Sequence, residues 1–216
     1  MSFPEETFRI NILQLILAEM EKEMRLLKSS LLCLVATFVL SAFLVPLHGQ
    51  EKQIREPDVI FVPTPHEVVD KMLELADVRP GEIVYDLGCG DGRIPVAAAK
   101  KFGVKAWGFD INPVRVKESL ETVAKNNVKH LVTIKQADVF ELDLSKADVI
   151  TLYLLPQLNV KLIPQLDKLK PGCRIVSHDF NMEGVRPKKE ITYTPQGSRE
   201  HRVYLWVTPL EKERKQ

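Results

Sequence analysis

The stretch that decides the fold is VYDLGCGDGR, residues 84–93. Its first four residues predict a buried strand that leads into a glycine-rich turn, and a helix is predicted to begin at Arg93. Glycine lets a ligand approach the backbone closely, and the start of a helix presents free N–H groups. The G-x-G-x-G spacing is neither the dinucleotide G-x-G-x-x-G pattern nor a phosphate-binding loop that ends in Gly-Lys-Ser/Thr. This unit is typical of proteins that bind nucleotides or nucleosides.

Strand and helix signals alternate from residue 58 to the end of the chain, which predicts an α/β fold with a mainly parallel sheet. A closing hairpin is predicted around the turn at residues 195–198. The predicted strands are Glu82–Leu87, Lys105–Phe109, Val132–Gln136, Ala147–Leu154, Cys173–Ser177, Glu190–Thr194 and His201–Val207. The predicted helices are Pro65–Ala76, Arg93–Lys101, Pro113–Lys125 and Pro156–Leu169.

Four aspartates stand at or just after the ends of the first three predicted strands: Asp86, Asp91, Asp110 and Asp138. The carboxyl ends of neighbouring parallel strands open on one crevice, so these side chains are expected to lie together. An acidic rim repels pyrophosphate and attracts a cation. Asp110 occupies the position where an acidic residue binds ribose hydroxyls. The pattern predicts a ligand that is a nucleoside with an amine and a positive charge, without phosphate.

Composition narrows the function classes. The chain has 216 residues with a formal net charge of +1, so bulk electrostatic binding of nucleic acid is not expected. The three cysteines, Cys33, Cys89 and Cys173, are too widely spaced for a C-x-x-C metal pair, and no metal site is predicted.

At this point the sequence resembles the class I S-adenosyl-L-methionine-dependent methyltransferases over residues 61–209. The resemblance lies in YDLGCGDGR (85–93), GFDINP (108–113), QADVF (136–140), DVITLYLLP (148–156) and LKPGCRIVS (169–177). It implies a Rossmann-like sheet of seven strands whose last strand is antiparallel, and S-adenosyl-L-methionine as the cofactor.

A narrower resemblance links the chain to the membrane-anchored protein-lysine methyltransferases that modify mitochondrial carriers and ATP-synthase c subunits, and to their bacterial relatives. It lies in FVPTP (61–65), LGCGDGR (87–93) and LYLLP (152–156), together with an apolar N-terminal segment. It implies methyl transfer to an amine, here a protein lysine. Two alternatives stay open: a methyltransferase for a small molecule, lipid or quinone, and a catalytically silent protein that binds the cofactor.

The resemblance also implies roles for individual residues. The methionine moiety and its amino group would contact Asp86, Gly88 and Gly90, and the ribose would contact Asp110. Asp91, inside the glycine-rich turn, would also belong to the cofactor-binding residues. The adenine amine would contact Asp138, with the ring held between Ile111 and Val139. Pro63 and Thr64 would form a lid over the cofactor. Tyr153 would face the transferred methyl group as the catalytic residue; the alternative is an aromatic side chain of the core.

The N-terminal part of the chain is predicted to lie outside the catalytic domain. Residues 1–28 form an extension, which translation from Met24 would largely remove. Residues 29–49 carry no charged side chain and are long enough for a membrane anchor, although a signal peptide fits as well. An anchor would leave the domain in the cytosol, whereas a cleaved signal would export it. A linker at 50–60 and a charged tail at 210–216 complete the layout.

Overall fold

The computed structural model describes residue 17, residues 19–28 and residues 60–213. The chain divides into two compact units, Met1–Lys52 and Gln53–Gln216. In the first unit, residues 19–28 are helical and exposed. The predicted anchor or signal at 29–49 and most of the predicted linker at 50–60 lie outside the described residues. Within the part of the chain that is described, no helix has the length and apolar character to cross a bilayer.

The second unit is built on one seven-stranded sheet with the order β3-β2-β1-β4-β5-β7-β6. Its strands are β1 (Ile83–Leu87), β2 (Lys105–Asp110), β3 (Val132–Gln136), β4 (Val149–Leu152), β5 (Arg174–His178), β6 (Lys189–Tyr193) and β7 (His201–Val207). The first five strands pair in parallel, and β7 runs antiparallel to both β5 and β6. The predicted seven-stranded sheet with an antiparallel last strand is confirmed.

Four α-helices accompany the sheet: α1 (His66–Leu75), α2 (Arg93–Phe102), α3 (Pro113–Lys125) and α4 (Pro156–Leu166). The Asn112 side chain starts α3 by accepting the Val114 N–H at 2.9 Å, and Pro113 occupies the first position, where no N–H is needed. The predicted extension of α4 to Leu169 is wrong. The N–H groups of Lys168 and Leu169 bond three residues back, which closes a turn instead of continuing the helix.

The core lies on both faces of the sheet, because neighbouring strand residues point to opposite sides. Val84 packs in one cluster with the buried faces of α1, α2 and α3. Tyr85, the next residue of β1, packs in the other cluster with Leu162 and Leu166 of α4. With both faces covered, the carboxyl ends of the parallel strands and the loops that follow them form the accessible edge. The parallel register of β1 and β4 also places Asp86 beside Thr151 at that edge.

Candidate active site

The glycine turn after β1 is bound to the end of β2. The Gly88 N–H donates to the Phe109 carbonyl at 2.8 Å, and the Gly90 N–H donates to Asp110 Oδ2 at 2.9 Å. Gly90 has a φ of +55°, and a Cβ there would lie 2.1 Å from the ring of Phe61. Glycine at this position therefore allows both the turn and the close approach of an aromatic ring from the segment before α1.

A cleft opens at this edge of the sheet and contains about 940 Å³ of empty space, including open solvent at its mouth. A concave site with a mainly apolar lining and a few polar groups is typical of small-molecule binding. All predicted site residues except Gly90 line it: Pro63, Thr64, Asp86, Gly88, Asp91, Asp110, Ile111, Asp138, Val139 and Tyr153. Gly90 instead binds Asp110 through its backbone. The structure thus brings together residues from four strand ends and from the segment that precedes α1.

Asp86 has one carboxylate oxygen engaged and one without a partner. Its side chain is buried, and Oδ1 accepts a 2.6 Å hydrogen bond from the Thr151 hydroxyl. Oδ2 is buried without a hydrogen-bond partner among the described residues. Burial raises the pKa of Asp86 to about 7. The Thr151 hydrogen bond opposes this rise, and repulsion from Asp110 and Asp91 adds to it. A cationic donor in the cleft would satisfy Oδ2 and stabilise the ionised carboxylate.

Backbone hydrogen bonds orient Asp110 and Asp138. The Asn112 N–H donates to Asp110 Oδ1 at 2.9 Å, while Oδ2 accepts from the glycine turn. Burial raises the pKa of Asp110, and these backbone hydrogen bonds oppose the rise. Asp138 Oδ1 accepts the Phe140 N–H at 3.0 Å and begins a 3₁₀ turn, Val139–Glu141. Both carboxylates line the cleft together with apolar residues from the loops that follow β2 and β3.

Asp91 is paired inside the protein, so its charge is not free in the way that the sequence indicated. The Arg93 guanidinium donates to both oxygens of Asp91 and also to the Thr64 carbonyl, at 2.7 Å. Burial pushes the pKa of Asp91 upward, but the hydrogen bonds and charge of Arg93 outweigh burial and hold it below its ordinary value. Asp91 lines the cleft, and through Arg93 it fixes the segment that carries Pro63 and Thr64.

Two buried histidines lie behind Tyr153. The Tyr153 ring is 4.0 Å from the His178 ring, centroid to centroid. His178 Nδ1 is 3.0 Å from the Thr64 hydroxyl, and its Nε2 is 2.8 Å from His201 Nδ1. Burial lowers the pKa of His178 to about 4, so the ring is neutral at pH 7. The side chain of His201, at the first position of β7, is buried as well, with 4% exposed.

Two further residues of the cleft were not assigned a role from the sequence. The Arg115 guanidinium lies 4.7 Å from the centroid of the Phe61 ring, and both residues line the cleft. Arg93 follows the glycine turn directly. A basic residue two positions after Asp91 is the one signal that could have indicated the Asp91 pair. The contact of Arg93 with Thr64 has no signal in the sequence, because 29 positions separate the two residues.

The sequence of the chain matches a known protein family and several named proteins. A family model described as the ANTKMT methyltransferase domain matches residues 86–189. The chain is 49% identical to a protein-lysine N-methyltransferase of Saccharolobus islandicus over 153 residues, which is 70% of this chain and 94% of that protein. It is 31% identical to the ATP synthase C-subunit lysine N-methyltransferase of Xenopus laevis, covering 68% of this chain and 67% of that protein.

Solved structures share the fold. An RNA methyltransferase from Salinibacter ruber in complex with S-adenosyl-L-homocysteine is 45% identical, with a TM-score of 0.65 over 71% of this chain and 98% of that one. TrmN from Thermus thermophilus is 21% identical, with a TM-score of 0.58 over 68% of this chain and 49% of that one, and indicates the fold alone. The two lysine methyltransferases and the Salinibacter ruber protein are all named for methyl transfer, and their names differ in the acceptor.

Proposed function

This chain belongs to the protein-lysine N-methyltransferase family with the ANTKMT-type domain and is an S-adenosyl-L-methionine-dependent methyltransferase; from that premise we propose that its acceptor is the side-chain amine of a protein lysine. The observation that supports this acceptor most strongly is the 49% identity to a protein-lysine N-methyltransferase over 94% of its length. The cleft agrees with this chemistry, because its polar groups suit a cation rather than a phosphate.

The residues of the cleft fit the cofactor. The unpartnered Oδ2 of Asp86 would accept from the amino group of the methionine moiety, where a buried acceptor otherwise stays unsatisfied. Asp110 would accept from the ribose hydroxyls. Asp138 would accept from the adenine amine, with Ile111 and Val139 on the two sides of the ring. When bound, S-adenosyl-L-methionine supplies a methyl group on a positively charged sulfur.

The protein's own part in the reaction is mainly alignment. Methyl transfer to an amine is an in-line displacement, for which the position of the attacking nitrogen matters most. That nitrogen must be neutral, and with a reference pKa of about 10.4 this costs roughly 4 kcal/mol near pH 7.4. Tyr153 lines the cleft, and its aromatic surface would lower the cost by desolvating the amine. The Arg93 contact with the Thr64 carbonyl would hold the segment that carries Pro63 and Thr64 over the cofactor.

Membrane attachment forms part of the proposal. Residues 29–49 have the length and apolar composition of an anchor, and one relative is named for a lysine of the ATP synthase C-subunit. We propose that the anchor holds the domain at 61–209 on the cytosolic side, where the cofactor is made. Retention of the full-length protein in carbonate-washed membranes, and its release when 1–50 is deleted, would test this.

An RNA acceptor is the second candidate, because the Salinibacter ruber structure that is 45% identical is named an RNA methyltransferase. The overall charge of +1 speaks against it. One experiment separates the acceptors: the protein is incubated with methyl-labelled cofactor and cell extract, which is then divided into protein, RNA and organic phases. We expect methyl-lysine in hydrolysed protein with the wild type and none with Asp86→Asn. Label confined to RNA or to the organic phase would contradict the proposal.

A further inference from the structure

Asp179 stands directly after β5 in a backbone conformation that residues other than glycine seldom adopt, with a φ of +56°. Its carboxylate has a fixed orientation. Oδ1 accepts the Arg202 N–H at 3.0 Å, and Oδ2 lies 3.2 Å from Nε2 of the buried His178. The side chain is 12% exposed. A carboxylate held in this way at the carboxyl end of a strand, beside the buried His178, has been positioned at a cost in backbone strain.

The partner of this carboxylate is an exposed arginine of the loop between β6 and β7. The Arg199 guanidinium pairs with Asp179 Oδ2, although the Arg199 side chain is 59% exposed. It also interacts with the Tyr153 hydroxyl, as does Asp179. Tyr153 lines the cleft. A cation thus already lies against a carboxylate and against the hydroxyl of a tyrosine that lines the cleft. The Arg199 side chain also donates to the Glu200 carbonyl at 2.8 Å.

We propose that Asp179 and the Tyr153 hydroxyl form the subsite that first binds the acceptor lysine as its ammonium ion, before the nitrogen releases its proton to solvent and accepts the methyl group, and that Arg199 fills this subsite until the substrate displaces it. The inference rests on the proposed function. It adds Asp179 as a carboxylate that selects the acceptor, and Arg199 as a side chain of the same protein that competes with the acceptor. Neither residue belongs to the cofactor-binding residues.

The contacts make this exchange feasible. An ion pair with an exposed partner adds little to stability and is screened by salt, so an arriving ammonium can replace the guanidinium at small cost. Once Arg199 has left, Asp179 still needs a cation, because it is largely shielded from solvent. The Phe180 ring, stacked 5.8 Å from the Tyr153 ring, adds apolar surface for the methylene groups of a lysine.

Three variants test the subsite. Arg199→Gln removes the competitor, and Asp179→Asn removes the charge with a residue that tolerates the same backbone conformation. Arg186→Gln is the matched control, because Arg186 is also an exposed arginine in an ion pair, with Glu211. The probes are poly-L-lysine as methyl acceptor and n-butylammonium as a ligand of the complex with S-adenosyl-L-homocysteine. Thermal unfolding of each variant checks that it is folded.

We expect Arg199→Gln to lower the KM for poly-L-lysine and the Kd for n-butylammonium about two- to five-fold, the range of a weak surface pair. Asp179→Asn should raise both at least tenfold. The affinity for S-adenosyl-L-homocysteine should stay the same in all variants, and Arg186→Gln should match the wild type.

Unchanged or weaker n-butylammonium binding in Arg199→Gln, or undiminished binding in folded Asp179→Asn, would overturn the inference. Failure of the proposed function looks different. In that case the wild type forms no methyl-lysine, while n-butylammonium binding still reports on the subsite.

Discussion

The hydroxyl of Thr151 donates a 2.6 Å hydrogen bond to Oδ1 of Asp86, while the other oxygen of the same carboxylate is buried without a partner among the described residues. The parallel register of β1 and β4 produces this asymmetry by placing the two residues side by side. One oxygen fixes the orientation of the side chain, and the other is left for a ligand.

We expect the affinity for S-adenosyl-L-homocysteine to fall as the pH drops below 7. Burial raises the pKa of Asp86 to about 7, so acidification converts the carboxylate to a neutral acid that no longer pairs with an ammonium. Well below pH 7 the affinity should fall close to tenfold per pH unit. Calorimetric titrations between pH 5.5 and 7.5 measure the slope. Asp86→Asn should bind weakly with little pH dependence, and equal slopes in the two proteins would contradict this role.

The same carboxylate should make the free protein less stable at neutral pH. The folded state keeps the Asp86 proton up to about pH 7, whereas the unfolded chain loses it near pH 3.8. At this side chain the folded state therefore binds more protons in this window, and the contribution of Asp86 to stability declines as the pH rises through it. Relative to the wild type, Asp86→Asn should gain about 4 kcal/mol between pH 4 and pH 8. Urea unfolding at several pH values measures the difference, and a constant difference would exclude the raised pKa.

Gly90→Ala should destabilise the fold by more than the backbone conformation alone explains. A Cβ there would lie 2.1 Å from the Phe61 ring, in addition to the positive φ. Gly172→Ala is the control, because its φ is also positive but no atom lies within 4 Å of the added carbon. We expect a loss of about 1 kcal/mol for the control and of roughly 2–3 kcal/mol for Gly90→Ala. In a Phe61→Ala background the two losses should converge; an unchanged excess would mean that the ring is not the obstacle.

Tyr153→Phe should impair transfer to the acceptor without weakening cofactor binding. The phenyl ring keeps the wall of the cleft, but the hydroxyl that interacts with Asp179 is lost. Under the proposal this hydroxyl binds the acceptor ammonium, and a hydrogen bond to a charged group is worth about 1.5–3 kcal/mol, so kcat/KM for poly-L-lysine should fall about ten- to a hundred-fold. The Kd for S-adenosyl-L-homocysteine, measured in parallel, should not change. If Tyr153→Ala retained full activity, Tyr153 would be a core aromatic residue only.

Much of the fold was predictable from local pattern. β3 and β7 have the predicted bounds, because β-branched runs between turn residues mark them clearly. The aspartates at the strand ends were predictable as a group, because topology alone places the carboxyl ends of parallel strands on one edge. That argument requires the order of strands and helices, and no detailed side-chain packing.

The remaining contacts depend on packing between distant segments. His201 follows a polar turn, a position that in the sequence favours a solvent-exposed side chain. It is buried because β7 lies between β5 and β6 inside the sheet rather than at its edge. The pair that His201 forms with His178 spans 23 positions, and no periodicity in the sequence indicates it. The rim of the cleft is also less acidic than the sequence predicted, because Arg93 pairs with Asp91. A charge pattern in the sequence does not show which carboxylates are paired with a cation.

A crystal structure of the complex with S-adenosyl-L-homocysteine tests the central claim most directly. We predict the amino group of the ligand within hydrogen-bond distance of Asp86 Oδ2, the ribose hydroxyls at Asp110 and the sulfur directed towards Tyr153. A ligand bound elsewhere, or bound in the cleft with Asp86 Oδ2 still lacking a partner, would contradict the claim.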